Sequence, residues 1–127
     1  MKNLLNKYRS DLEKIYNFDF VDSIIIFGSY ANNNYNCNSD LDICVITKSN
    51  LNMNKKNKIY FYKTDELDIN IFDDLGLPMQ YKIMTYGVVF KSKINLNTLK
   101  HNITNQWFDF RPKLNRIYIR KGLLPII

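Results

Sequence analysis

The chain reads as an α/β (α+β) domain, a mixed and twisted sheet of four or five strands with helices packed mainly on one face. Three observations carry that expectation. Residues 2–16 place apolar side chains at helical spacing, the run Val21 to Phe27 is apolar throughout, and Asp40 to Ile46 alternates with a period of two. A chain of 127 residues with 46% hydrophobic and 14% aromatic content buries roughly two thirds of its unfolded surface and needs no disulfide or structural metal to fold. One domain is expected over 1–127, with a core at about 20–92 and a helical tail at about 95–122.

The elements follow in order. In the first helix Leu4, Leu5, Tyr8, Leu12, Ile15 and Tyr16 line one side, and Lys2, Lys7, Arg9, Asp11 and Glu13 fall mostly on the other. Val21–Phe27 is the first strand, and its Ile24-Ile25-Ile26 run suits a strand covered on both faces. Gly28 ends it. Residues 29–39 connect to the second strand, opening with a short helix from Ser29 and running through an Asn-rich tip. Along Asp40–Ile46, Asp40, Asp42 and Cys44 share one face. Lys48 to Lys58 lacks periodicity and is expected to be a surface loop. Ile59–Lys63 and Leu67–Phe72 flank Thr64-Asp65-Glu66 as a β-hairpin would. In the second of these runs Leu67, Ile69 and Ile71 point one way, while Asp68, Asn70 and Phe72 point the other. Asp68 thereby reaches the side of the sheet that holds Asp40 and Asp42. Pro78 opens a short helix that stops near Gly87, and Val88–Phe90 adds an edge strand. From Asn95 a stripe of Leu99, Ile103, Trp107, Phe110, Leu114, Ile117 and Tyr118 is helical, with a kink or break expected near Phe110 and Arg111 because Pro112 follows.

Composition narrows the partners. A net charge of +6 and a pI near 9.3 favour polyanions such as nucleotides, RNA or an acidic protein surface. The two cysteines, Cys37 and Cys44, read as unlinked thiols of a reducing compartment. No charged-then-apolar leader and no apolar run of about 18 residues stands out, so a soluble, cytoplasmic protein without membrane contact is expected.

The chemistry lies between Gly28 and Asp42. Gly28 allows a backbone to approach a phosphate closely, and Ser29 offers a hydroxyl and an amide where a helix begins. Asp40 and Asp42 at i and i+2, joined by Asp68, gather three negative charges. Hard oxygen ligands of this kind suit Mg²⁺ or Mn²⁺, and such a cluster can hold two ions about 3.5–4 Å apart. Phosphate grip and carboxylates together point to phosphoryl or nucleotidyl transfer. Ser29 and Ser39 are also ordinary cap residues, and Asp65, Glu66, Asp73 and Asp74 compete with Asp68 for the third position. Lys113, Arg116 and Arg120 form a basic stripe that suits a solvated face better than a nucleic-acid or triphosphate contact.

Gly28-Ser29, an interval covering residues 30–38, and Ser39-Asp40-Leu41-Asp42 resemble the signature of the polymerase-β-like nucleotidyltransferases. More narrowly, they resemble the minimal nucleotidyltransferases (MNT) found as antitoxins beside HEPN-domain toxins. The resemblance implies the polymerase-β-like fold, with Gly28, Ser29 and Ser39 on the nucleotide, and Asp40 and Asp42 on the metals. It makes Asp68 the third acid, which helps deprotonate the attacking hydroxyl. It further implies Mg²⁺-dependent transfer of AMP from ATP to a hydroxyl, that of a tyrosine on a cognate HEPN toxin. The chain departs from the pattern at Asn32-Asn33, where many members carry Arg-Gly, and its segment between the second strand and Asp68 is short of the helix that larger relatives carry there. Two other readings stay open, an antitoxin that acts by binding alone and transfer to RNA or a small molecule.

Overall fold

A computed structural model describes residues 3–29, 31 and 40–123. The elements run α1 (Leu4–Tyr16), β1 (Val21–Phe27), β2 (Leu41–Thr47), α2 (Met53–Tyr60), β3 (Leu67–Ile71), a 3₁₀ turn (Phe72–Asp74), α3 (Leu77–Tyr86), β4 (Val88–Ser92) and α4 (Asn97–Arg120). The four strands form one mixed sheet in the order β3-β2-β1-β4. Strand β1 is antiparallel to β2 and to β4, and β2 is parallel to β3. The expected helix from Ser29, the Asn-rich tip, Asn32-Asn33, Cys37 and Ser39 lie outside the described residues.

Strand alternation divides the core in two. On one face Ile24 and Ile26 of β1, Leu41, Ile43 and Val45 of β2, and Leu67, Ile69 and Ile71 of β3 meet α1 and α2. Helix α1 brings Leu4, Tyr8, Leu12 and Ile15 to that face, and its first turn is capped by Asn3, whose side chain accepts from the Asn6 amide at 3.2 Å. On the other face Ile25, Cys44 and Ile46 pack with Phe72, with Ile83 and Met84 of α3, and with Ile103 of α4. Helices therefore cover both faces rather than mainly one, as the apolar triplet in β1 requires.

Further expectations are corrected. Ile59–Lys63 and Leu67–Phe72 do not form a hairpin, and the stretch after β2 is not all loop. Instead β2 crosses to a parallel β3 through α2, because two parallel neighbours cannot be joined by a tight turn. Asn52 starts α2 by accepting from the Lys55 amide at 2.9 Å, and Ile59 is the one residue of that helix that is buried. The helix expected to be missing before Asp68 is thus present in short form. In α4 the helix continues through Pro112 without a break. Its end is well defined: Gly122 takes a φ of +73°, its amide bonds to Ile119 O at 3.0 Å, and Leu123 N bonds to Tyr118 O at 2.8 Å, the Schellman arrangement.

Replacing Ile59, which is fully buried, by Ala is expected to cost about 2–5 kcal/mol in urea unfolding. Phe61→Ala, at a side chain that is 80% exposed, should stay within about 0.5 kcal/mol of the parent.

Candidate active site

The sheet registers assemble the site. Asp42 pairs across the antiparallel ladder with Phe27 and across the parallel ladder with Asp68. Neighbouring strands lie about 4.8 Å apart, so Asp42 and Asp68 stand side by side on the face that α3 and α4 cover. Asp40 immediately precedes β2 and is exposed. The sequence-predicted Asp40, Asp42 and Asp68 are thus brought to the sheet end where β1 stops and β2 and β3 begin.

Gly28 joins this end through its backbone. Its φ is +73°, and a Cβ there would collide with the Asp42 carboxylate. A side chain at this position would be strained and would displace Asp42, so the chain needs glycine here whatever else binds. Ser29 follows in the same turn, half-buried.

The charges are unevenly compensated. Burial, then the negative charge of Asp68, then that of Asp40 push Asp42 up to about 6. Asp68 accepts from Lys63 Nζ at 3.1 Å and from the Asn70 side-chain amide at 3.1 Å. The Lys63 pair is largely exposed, a class worth about 0–1 kcal/mol. Two of the four competing acids are engaged elsewhere: Glu66 accepts from Lys7 at 2.5 Å and Tyr8 at 3.1 Å, and Asp74 from Lys56 at 2.8 Å. Beneath the site Cys44 is fully buried, and burial with the charge of Asp73 pushes its thiol up to about 12, which makes it an inert core residue.

Among the described residues no three acid, histidine or cysteine side chains are gathered closely enough to enclose a metal ion. The donor chemistry fits one nonetheless. Asp42 and Asp68 present hard carboxylate oxygens from paired positions of neighbouring strands, and a divalent cation would offset the mutual repulsion that adds to burial in raising Asp42.

Sequence reasoning missed the cleft beside the carboxylates. Phe27 and Gly28 of the β1 end, with Met79, Lys82, Ile83 and Tyr86 of α3, line a cavity of about 460 Å³, within the range of small-molecule sites. The positions 79, 82, 83 and 86 follow helical spacing, a signal readable in the sequence once α3 is placed across β1. Lys82 pairs with no carboxylate among the described residues. Gly28 is common to cleft and carboxylates.

Comparison with known proteins agrees with this geometry. The family described as the nucleotidyltransferase domain matches residues 5–106. The chain belongs to this family. A Methanocaldococcus jannaschii protein, MJ1547, whose name describes a protein adenylyltransferase, is 28% identical over 92 residues, 72% of this chain and 73% of that protein. A toxin–antitoxin crystal structure with AMP-PNP superposes at a TM-score of 0.68 with 17% identity, covering 85% of this chain and 93% of that one. An MNT antitoxin in complex with the tri-AMPylated HEPN toxin of Shewanella oneidensis superposes at 0.65 with 15% identity, covering 88% and 93%. These structural likenesses establish the polymerase-β-like nucleotidyltransferase fold expected from the sequence.

The nucleotidyltransferase carries a pH signature in Asp42. A carboxyl raised on folding stabilises the folded state at low pH, and that contribution is lost as pH rises through about 6. The displacement from 3.8 to about 6 corresponds to ~3 kcal/mol before solvent screening and about 1 kcal/mol for a half-buried group. In urea unfolding without divalent cations, Asp42→Asn is therefore expected to be about 1 kcal/mol more stable than the parent at pH 8, with the difference closing as pH falls below about 4.

Proposed function

We propose that this chain transfers AMP from ATP to a hydroxyl and acts as the antitoxin of a HEPN-type toxin, the acceptor being a tyrosine of that toxin. The observation that carries the reading is the register that sets Asp42 beside Asp68 and against the Gly28 turn. The M. jannaschii relative and the toxin–antitoxin neighbours support protein as acceptor and toxin as partner.

Asp40, Asp42 and Asp68 would hold Mg²⁺ or Mn²⁺, which when bound offsets negative charge on the entering and leaving oxygens. The rest is done by the chain's own groups. The Gly28 turn and Ser29 hold the phosphates, and the cleft takes the base among Phe27, Met79 and Tyr86. Lys82 supplies the cation that Asn32 does not. The tyrosine oxygen attacks the α-phosphorus in line, a new phosphorus–oxygen bond forms, the bond to the bridging oxygen breaks, and pyrophosphate leaves. The phenolic proton passes to the carboxylate of Asp68.

With α-labelled ATP, Mg²⁺ and the HEPN protein encoded beside this chain, label is expected on the HEPN protein. Asp40→Asn/Asp42→Asn should reduce labelling by at least about 1,000-fold, and Lys82→Ala should weaken ATP binding about 5-fold. Equal labelling by the aspartate variant would overturn the mechanism. An aspartate variant that labels nothing yet still silences the toxin would establish action by binding alone.

A further inference from the structure

Among the described residues the distal half of α4 buries no side chain, and Leu114 and Tyr118 are only half-buried. Ile103 and Trp107 are the buried residues of this helix, with Trp107 stacked on Tyr81 at 5.3 Å. No residue from 108 to 123 is buried. The stripe that buries Ile103 and Trp107 nevertheless continues, since Phe110, Leu114, Ile117 and Tyr118 fall on the same side of a 3.6-residue helix. Phe110 is 37% and Ile117 44% exposed.

Such a segment does not persist on propensity alone. Pro112 sits in the helix interior and costs about 3 kcal/mol there, and helices draw most of their stability from packing an apolar face. Yet the Schellman arrangement at Gly122 and Leu123 stops the helix at a set position, 13 residues after Trp107. A length specified beyond the reach of the chain's own core implies a surface outside it.

The charge identifies that surface. Lys113, Arg116 and Arg120 line one flank of the stripe, Arg111 and Lys121 add to them, and Asp109 is the one carboxylate between 108 and 123. A second copy of the same basic face would be repelled. Nucleic acid suits the cations and aromatic rings, but Leu114 and Ile117 offer bases nothing to stack on. Apolar ridge and basic flank together suit a protein helix with an apolar stripe edged by Asp and Glu.

We propose that the distal half of α4, from Phe110 to Tyr118, is the docking surface for the toxin and receives an apolar, acid-edged helix of it. The inference rests on the toxin reading above and adds where the toxin is held, away from the nucleotide cleft.

Titration calorimetry of the full chain with the purified HEPN protein tests it. Ile117→Asp should weaken toxin binding by at least about 30-fold, as loss of a central anchor does. Arg116→Glu/Arg120→Glu should slow association and flatten its salt dependence. Both variants change exposed side chains, so their Mg²⁺–ATP binding, followed by thermal shift, should equal the parent's. Asp42→Asn should bind the toxin as tightly as the parent. If the parent binds the toxin and the two α4 variants bind it equally well, the docking surface is wrong and the toxin reading stands. If the parent does not bind the toxin, the toxin reading fails and this inference with it. Retention of RNA by the parent, lost in Arg116→Glu/Arg120→Glu while toxin binding is unchanged, would reassign the face to nucleic acid.

Discussion

Everything at the site depends on two carboxylates being kept side by side against their own repulsion. The β2/β3 ladder does this from Leu41↔Leu67 to Val45↔Ile71, and its opposite face is anchored by Leu41, Ile43, Val45, Leu67, Ile69 and Ile71, each at most 1% exposed. The strand period of two lets alternate residues of the same segments serve opposite ends, burial on one face and charge on the other. The apolar burial is also what makes the pairing exact. A slip of one residue in either strand would turn its acid toward the core under α1 and α2 and take its aliphatic side chains out of that core, so the register that presents the acids is protected by the core's own energetics. Stability and site are thus one constraint viewed from two faces.

How far this was readable from the sequence follows from which signals are local. The alternation of Leu67, Ile69 and Ile71 against Asp68 and Asn70 is local, and it placed Asp68 on the right face. The apolar run of β1 set its limits at Val21 and Phe27, and the acids, with Gly28, were singled out by spacing. The hairpin reading failed for a physical reason. Ile59–Lys63 is too short an apolar run to separate strand from helix, and nothing near it reports that β3 pairs in parallel with a strand some 20 residues earlier. Helix α2 buries Ile59 alone, so it shows no amphipathic period. Its Asn52 cap was present in the sequence but weak without that period. The one-sided arrangement of helices likewise ignored what Ile24-Ile25-Ile26 implied, because three consecutive apolar residues in a strand need cover on both faces.

Gly28 shows a different limit of sequence reading. The residue was singled out for phosphate approach, whereas the structure gives it an internal duty. The left-handed backbone and the missing Cβ make room for the Asp42 carboxylate of the neighbouring strand. A glycine at a strand end is compatible with either reason, and only the register distinguishes them. The cleft was invisible for a related cause. Phe27 and Lys82 are 55 positions apart in sequence, and they share a cavity because α3 lies across the end of β1.

The site separates what is rigid from what is exchangeable. Backbone ladders fix the positions of Asp42 and Asp68, and these cannot move apart without breaking sheet hydrogen bonds. The present compensation of Asp68 is by Lys63, a side chain 54% exposed, on a long stem that loses rotamer freedom to hold the pair. Such a pair partly masks negative charge in the resting protein at little energetic depth, so its release opposes cation entry only weakly. Asp42 is raised to about 6 by burial first, and then by the charges of Asp68 and Asp40. A divalent cation held by the two acids would displace the Lys63 ammonium group from Asp68 and, below about pH 6, a proton from Asp42. Cation affinity would therefore rise with pH through about 6 and fall with any substitution that ties Lys63 more firmly to Asp68.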